Sequence, residues 1–209
     1  MDREFWLARW RDQQIGFHEG VPNSLLVAHF AGLGVAVGGR VFVPLCGKSQ
    51  DMHYLRAQGC TVVGAELSRA AAEQFFSEAG LTPQVDTTGR LERFEAGGVT
   101  IFVGDIFDLE DELLGAVDAI YDRAALVALP GALRGRYAAR LISLTHGARQ
   151  LLVTFEHESP AGPPFSVEEA EVRTHYSMAY RLECAERREV SGGIKGCAAD
   201  ESVWLLRPL

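Results

Sequence analysis

An α/β fold is predicted for this chain: a mixed, mostly parallel sheet flanked by helices, with an N-terminal helical extension. Three observations predict it. Short apolar runs recur, each followed by a stretch with helical spacing and capping residues. The runs RVFVPL (40–45) and TVVGAE (61–66) are almost continuously apolar, as strands buried on both faces are. The tail, 178–209, breaks the alternation with two strand-like stretches, MAYRLECAERREV and ESVWLLRPL, across a Gly-rich loop, which fits a closing antiparallel pair.

The elements follow in order. Residues 3–15 form an amphipathic helix in which Trp6 and Trp10, four apart, share a face. GFHEGVPN (16–23) is a loop, and a second helix over 24–33 is ended by Gly32 and Gly34. After the strand at 40–45 comes a helix over 49–59, with Ser49 as N-cap and Gly59 as stop. The strand at 61–66 leads to a helix over 68–80, capped by Ser68 and closed by Gly80. VTIFVGD (99–105) is the third strand, AVDAIYDRA (116–124) contains the fourth and RQLLVTFEH (149–157) is the fifth. Helices are expected at 133–145 and at 166–176, the latter with Ser166 as cap. With no linker, repeat or low-complexity segment, the reading is one domain over 1–209: a helical extension at 1–35 and an α/β core at 36–209.

Composition narrows the function. The 209 residues are 47% hydrophobic and 23% charged, and the formal net charge is −8. That balance argues against an electrostatic hold on nucleic acid or an anionic membrane. No apolar run approaches the ~18–20 residues that span a bilayer, and MDREFWLARWRDQQ lacks the apolar core of a secretory signal. The expected compartment is the cytoplasm, and a monomer is favoured by the size and the absence of heptads. The four cysteines, Cys46, Cys60, Cys184 and Cys197, include no C-x-x-C pair and have no zinc-finger spacing to histidine. They read as free thiols, mostly buried; Cys46, in a turn, has no local His or acid to activate it as a nucleophile.

The turn in VFVPLCGKSQDM (41–52) is the first candidate site. Its GKS invites a phosphate-loop reading, but the glycine that such a loop needs five positions earlier is Phe42. A dinucleotide G-x-G-x-x-G is also missing. What remains is a strand–turn–helix junction with one glycine, Gly47. Lys48 reads as a solvated helix-entry residue and Asp51 as a first-turn charge.

In open α/β sheets, ligands bind beyond the carboxyl ends of the strands. Those ends carry the PLCGKS turn, Glu66, Asp105 and Asp122-Arg123, so three acids and an arginine are expected on one rim. Glu66, about 20 residues beyond Gly47, is placed to accept hydrogen bonds from both ribose hydroxyls; otherwise it is a solvated Glu before a helix cap. Asp105 suits an adenine amino group, with Ile106 over the ring; otherwise it caps the 106–114 segment. A turn this bulky, with Pro44, Leu45 and Cys46, has no second close approach for a pyrophosphate. A nucleoside without phosphate fits better, and S-adenosylmethionine is such a molecule. Arg123 then pairs with its methionyl carboxylate or orients an acceptor.

Six stretches in order, Trp6-to-His18 (W6…RW10…GFH18), PLCGKSQDM, VVGAELS, GDIFDL, YDRAALVALP and GPPFSV, strongly resemble the thiopurine S-methyltransferase family, over about residues 5–176. The resemblance implies a Rossmann-like, class I methyltransferase fold that uses S-adenosylmethionine, releases S-adenosylhomocysteine and methylates a small-molecule sulfur acceptor, an aromatic or heterocyclic thiol. It implies cofactor contacts at Trp10, Leu45, Glu66 and Arg123, with the Asp105-Ile106 step facing the adenine and Phe17 over the acceptor. Periodicity alone puts Trp10 in the core with Trp6; the resemblance makes the N-terminal helix a lid, with Trp6 toward the core and Trp10 toward the cofactor. His18 reads as solvent-facing, and no catalytic base or metal ligand is nominated. The segment REVSGGIKGCAADE, with three glycines and Lys195, departs from the Arg-rich, Trp-containing stretch of many relatives. Alternatives are a methyltransferase for small inorganic or metalloid acceptors, a nucleoside-binding module without turnover, and an NAD-dependent oxidoreductase, against which the missing glycines weigh.

Overall fold

In the computed structural model, which describes residues 3–209, the apolar runs are strands. Each expected core strand exists, with ends adjusted by local chemistry. In chain order the regular elements are α1 (Arg3–Arg11), α2 (Ser24–His29), β1 (Arg40–Pro44), α3 (Gln50–Ala57), β2 (Thr61–Glu66), α4 (Arg69–Glu78), β3 (Gln84–Thr88), β4 (Leu91–Ala96), β5 (Val99–Val103), α5 (Asp111–Leu114), β6 (Ala119–Asp122), α6 (Gly131–Leu144), β7 (Arg149–His157), α7 (Glu169–Tyr176), β8 (Tyr180–Glu189) and β9 (Ala199–Pro208). The first two residues of the expected extension lie outside the described residues. Among the described residues, no helix is long and apolar enough to cross a membrane.

Contacts divide the chain into two compact units, one of residues 3–28 and 35–118, the other of 29–34 and 119–209. In the first, the strands lie in the order β3-β4-β5-β2-β1. β1 pairs parallel with β2, and β2 parallel with β5, while β4 pairs antiparallel with β3 and β5. Val41, Phe42, Val43, Val62, Val63, Ala65, Val99, Ile101 and Phe102 are buried, so these strands are the core of the unit. Ser49 caps α3 by accepting the Asp51 N–H, and Ser68 caps α4 by accepting the Ala71 N–H. In the second unit the order is β6-β7-β9-β8; β6 and β7 are parallel, and β9 is antiparallel to both β7 and β8.

Three expectations need correction. Helix α1 ends at Arg11, not residue 15. Gln13 takes a left-handed φ of 54°, and the Gln14 N–H returns to the Arg9 carbonyl at 2.8 Å while the Gln13 N–H returns to Trp10, a Schellman closure. Helix α7 starts at Glu169, not at a Ser166 cap. The Ser166 hydroxyl accepts the His157 N–H at 3.0 Å, and the Val167 N–H bonds the Phe155 carbonyl, so this segment runs beside the end of β7 instead. The third is the β3–β4 hairpin, which fell in a stretch assigned to no element. Its edge strand QVDTT is largely exposed and polar, and only Leu91 and Phe94 of β4 are buried, so an apolar run is absent.

Candidate active site

The turn after β1 is built without spare volume. Leu45 adopts a left-handed φ of 47° and Gly47 one of 52°. The first is unusual for a branched residue and marks a turn held by its surroundings. The Cys46 N–H donates to the Ala65 carbonyl at 3.0 Å, and its sulfur lies against Gly64, where a Cβ would come within 2.6 Å of it. Gly64 therefore sits in the middle of a strand because the turn's thiol needs its space. Burial, with Glu66 nearby, pushes the Cys46 thiol well above its ordinary pKa, so it stays protonated and is no nucleophile.

Glu66 closes this arrangement. It is 6% exposed, not solvated. Its Oε2 accepts the Gly47 N–H and its Oε1 the Ser68 N–H, each at 2.8 Å, while its carbonyl accepts the Gly104 N–H at 2.8 Å. One residue thus ties together the ends of β1, β2 and β5. Burial raises its pKa, and the backbone donors offset only part of that rise. A carboxylate has about four lone-pair sites, so beside the backbone donors of Gly47, Ser68 and Leu67 it keeps room for a further donor.

Trp10 lies over the turn. It is 3% exposed, and a Cβ on Gly47 would stand 3.0 Å from its Cζ2. Of the two tryptophans of α1, Trp10 is the enclosed one and Trp6 is half-buried, against the expectation that Trp6 takes the core. Phe17 meets both edge-on, with ring centroids 5.6 Å from Trp6 and 5.7 Å from Trp10, and is 36% exposed. His18 is half-buried rather than solvent-facing.

Asp105, half-buried, caps a short 3₁₀ turn by accepting the Phe107 N–H through Oδ1 at 3.0 Å, and Ile106 is buried. The chain therefore brings Trp10, Phe17, Leu45, Glu66, Asp105 and Ile106 into one unit. Arg123, half-buried at the end of β6, belongs to the other. Asp122 does not join a rim of acids: it is fully buried and accepts the Tyr137 hydroxyl at 2.8 Å.

Lys48 in the turn and Asp51 at the start of α3 have structural roles that spacing did not reveal. Lys48 is not solvated; it is 8% exposed and its Nζ pairs with Glu78 at 2.6 Å. Asp51 is buried and accepts the Asn23 N–H at 2.7 Å, while Asn23 accepts the Leu25 N–H that opens α2. An asparagine directly before Ser-Leu-Leu was the available signal for that cap. The Asn23–Asp51 bond holds the loop carrying Phe17 against the start of α3, and the Lys48–Glu78 pair ties the turn to α4. Among the described residues, no group of three or more His, Cys, Asp or Glu side chains is arranged to hold a metal.

An α/β unit with its candidate side chains at the strand ends is consistent with a Rossmann-like, class I methyltransferase fold. The chain is similar in fold to the 1,6-didemethyltoxoflavin-N1-methyltransferase of Burkholderia thailandensis, a crystal structure with bound 1,6-didemethyltoxoflavin and S-adenosylhomocysteine; the TM-score is 0.67 and the identity 16%, over 98% of this chain and 86% of that one. The family model for thiopurine S-methyltransferase matches residues 1–204, and the chain belongs to that family. It is 54% identical to the thiopurine S-methyltransferase of Xanthobacter autotrophicus, over 99% of both chains. It is 50% identical to that of Gluconobacter oxydans, over 98% of this chain and 94% of the relative. The chain is accordingly a methyltransferase.

Proposed function

We propose that the protein transfers the methyl group of S-adenosylmethionine to the sulfur of an aromatic or heterocyclic thiol, a thiopurine in the first instance. The observation that carries this reading is the buried Glu66 carboxylate, held beside a one-glycine turn. It fits a ribose: its carboxylate keeps room for a hydroxyl donor, and its charge repels a 2′-phosphate. The turn fits no pyrophosphate, because Leu45 and Cys46 stand where further glycines would be needed.

In this reading Trp10, Leu45, Glu66, Asp105, Ile106 and Arg123 hold the cofactor, and Phe17 and Arg123 face the acceptor. The cofactor supplies, when bound, an electrophilic methyl on a sulfonium. The protein's own share is positioning: Glu66 fixes the sugar, Asp105 and Ile106 the base, and Trp10 with Phe17 closes the turn from solvent. Alignment of two reactants is worth ~7–11 kcal/mol. Aromatic thiols ionise readily, so no side chain need remove their proton, and none is assigned as base. The whole chain acts as one methyltransferase domain with α1 as its lid, a monomer in the cytoplasm that engages a small molecule rather than nucleic acid or membrane; the net charge of −8 supports the last point.

The test is turnover of methyl-labelled S-adenosylmethionine with a thiopurine, a thiophenol and an inorganic selenium species. Label on the thiopurine and thiophenol sulfur is expected. Transfer to selenium alone would favour a metalloid acceptor, and no transfer with intact cofactor binding would leave a binding module.

A further inference from the structure

YDRAAL reads in sequence as an acid and a base side by side at a strand end. In the structure the two part: Arg123 is half-exposed, whereas Asp122 turns wholly into the core of its unit. There its Oδ1 accepts the Leu126 N–H at 3.2 Å. Its Oδ2 accepts the Tyr137 hydroxyl of α6 at 2.8 Å and the Gln150 Nε2 of β7 at 3.4 Å. Tyr176 of α7, also buried, is a further titratable group that feels its charge.

The bond to Leu126 closes a turn over 122–126, and Arg123 sits inside that turn. Next to it Ala124 has a left-handed φ of 58°, a conformation that a residue with a Cβ keeps only when its surroundings impose it. On the far side the Phe165 N–H bonds the Val127 carbonyl at 2.7 Å. The direction in which Arg123 leaves the sheet is therefore set by the clamp beneath it.

We propose that Asp122 is a positioning residue for methyl transfer, its carboxylate clamping the 122–126 turn so that Arg123 meets its ligand in one fixed orientation. This rests on the role given to Arg123 above. A cap alone would be met by Asn, which keeps the acceptor for Leu126 without a buried charge. What the charge adds is stronger bonds to Tyr137 and Gln150, since hydrogen bonds to an ionised acceptor are about twice as strong as neutral ones.

A double-mutant cycle tests it, with S-adenosylhomocysteine affinity by calorimetry and the thiophenol KM as readouts. Arg123→Ala is expected to shift one of these by about 10- to 100-fold, as for loss of a charge-assisted bond. Asp122→Asn is expected to shift the same readout by about three- to tenfold, with no loss of thermal stability. In the Arg123→Ala background, Asp122→Asn should change it by less than about twofold, because coupled residues are not additive. If Asp122→Asn does not fold, Tyr137→Phe replaces it in the cycle, with the same pattern expected. Additive effects, or an affinity and KM untouched by Asp122→Asn and Tyr137→Phe, would overturn the positioning role while leaving Arg123 in place. An Arg123→Ala variant identical to the parent in both readouts would overturn the role of Arg123 itself, and the proposal with it.

Discussion

Glu66 accepts the Gly47 N–H through Oε2 at 2.8 Å, and this bond joins the end of β2 to the turn after β1. The same carboxylate is the proposed ribose acceptor, so one side chain shapes the turn and reads the ligand. Replacing Glu66 by Ala is expected to weaken S-adenosylhomocysteine binding by about 1–3 kcal/mol, the cost of unmade bonds to a charged group. Glu66→Gln keeps one acceptor oxygen and should lose less. Isothermal calorimetry measures both, and unchanged affinity in both variants would remove Glu66 from the site.

Gly47 is expected to tolerate no side chain. Its φ of 52° is left-handed, and a Cβ would press on Trp10 Cζ2 at 3.0 Å. Gly47→Ala should lower unfolding stability by about 1–3 kcal/mol and shift the tryptophan emission as Trp10 is displaced. Normal stability with unshifted emission would show that the turn is not packed as described.

Stability should depend on pH through Asp122. Burial raises its pKa from 3.8 to about 6, so the folded state binds the proton more tightly than the unfolded one. The benefit is complete below the unfolded value and is lost as pH rises through about 6. Two pKa units correspond to about 3 kcal/mol. Asp122→Asn carries no such charge, so its stability relative to the parent should rise by a figure of that order between pH 4 and pH 7.5. Urea unfolding of both proteins at the two pH values measures it, and a difference independent of pH would contradict the assignment.

The thiols should differ sharply in reactivity. Cys184 is exposed and Cys197 half-buried, whereas Cys46 and Cys60 are buried; burial raises the pKa values of Cys46, Cys60 and Cys184 alike, so access rather than acidity separates them. A disulfide reagent at pH 8 is expected to modify Cys184 first and Cys197 next, and to reach Cys46 and Cys60 only in denaturant. Mapping the modified peptides by mass spectrometry checks this; early modification of Cys46 would mean that the turn opens.

Where the sequence carried a strong periodic signal, the elements could be read: the apolar strands β1, β2, β5 and β7, and the Ser49 and Ser68 caps. The β3–β4 hairpin was invisible because an exposed edge strand needs no apolar run. The end of α1 escaped because Gln13, not a glycine, supplies the left-handed closure. The place of Glu66 at the end of β2 was legible from the apolar run before it and its distance beyond Gly47. The burial of Lys48, Asp51 and Asp122 was not, since each depends on a partner distant in sequence (Glu78, Asn23 and Tyr137), and no local pattern encodes such a pair.

The strand ends around Glu66 are proposed to hold the adenosine of S-adenosylmethionine. A crystal structure of the S-adenosylhomocysteine complex tests this most directly. A ribose hydroxyl is expected within about 3 Å of a Glu66 carboxylate oxygen, with Ile106 against the adenine. An adenosine bound elsewhere, with Glu66 making no contact to any sugar, would contradict it.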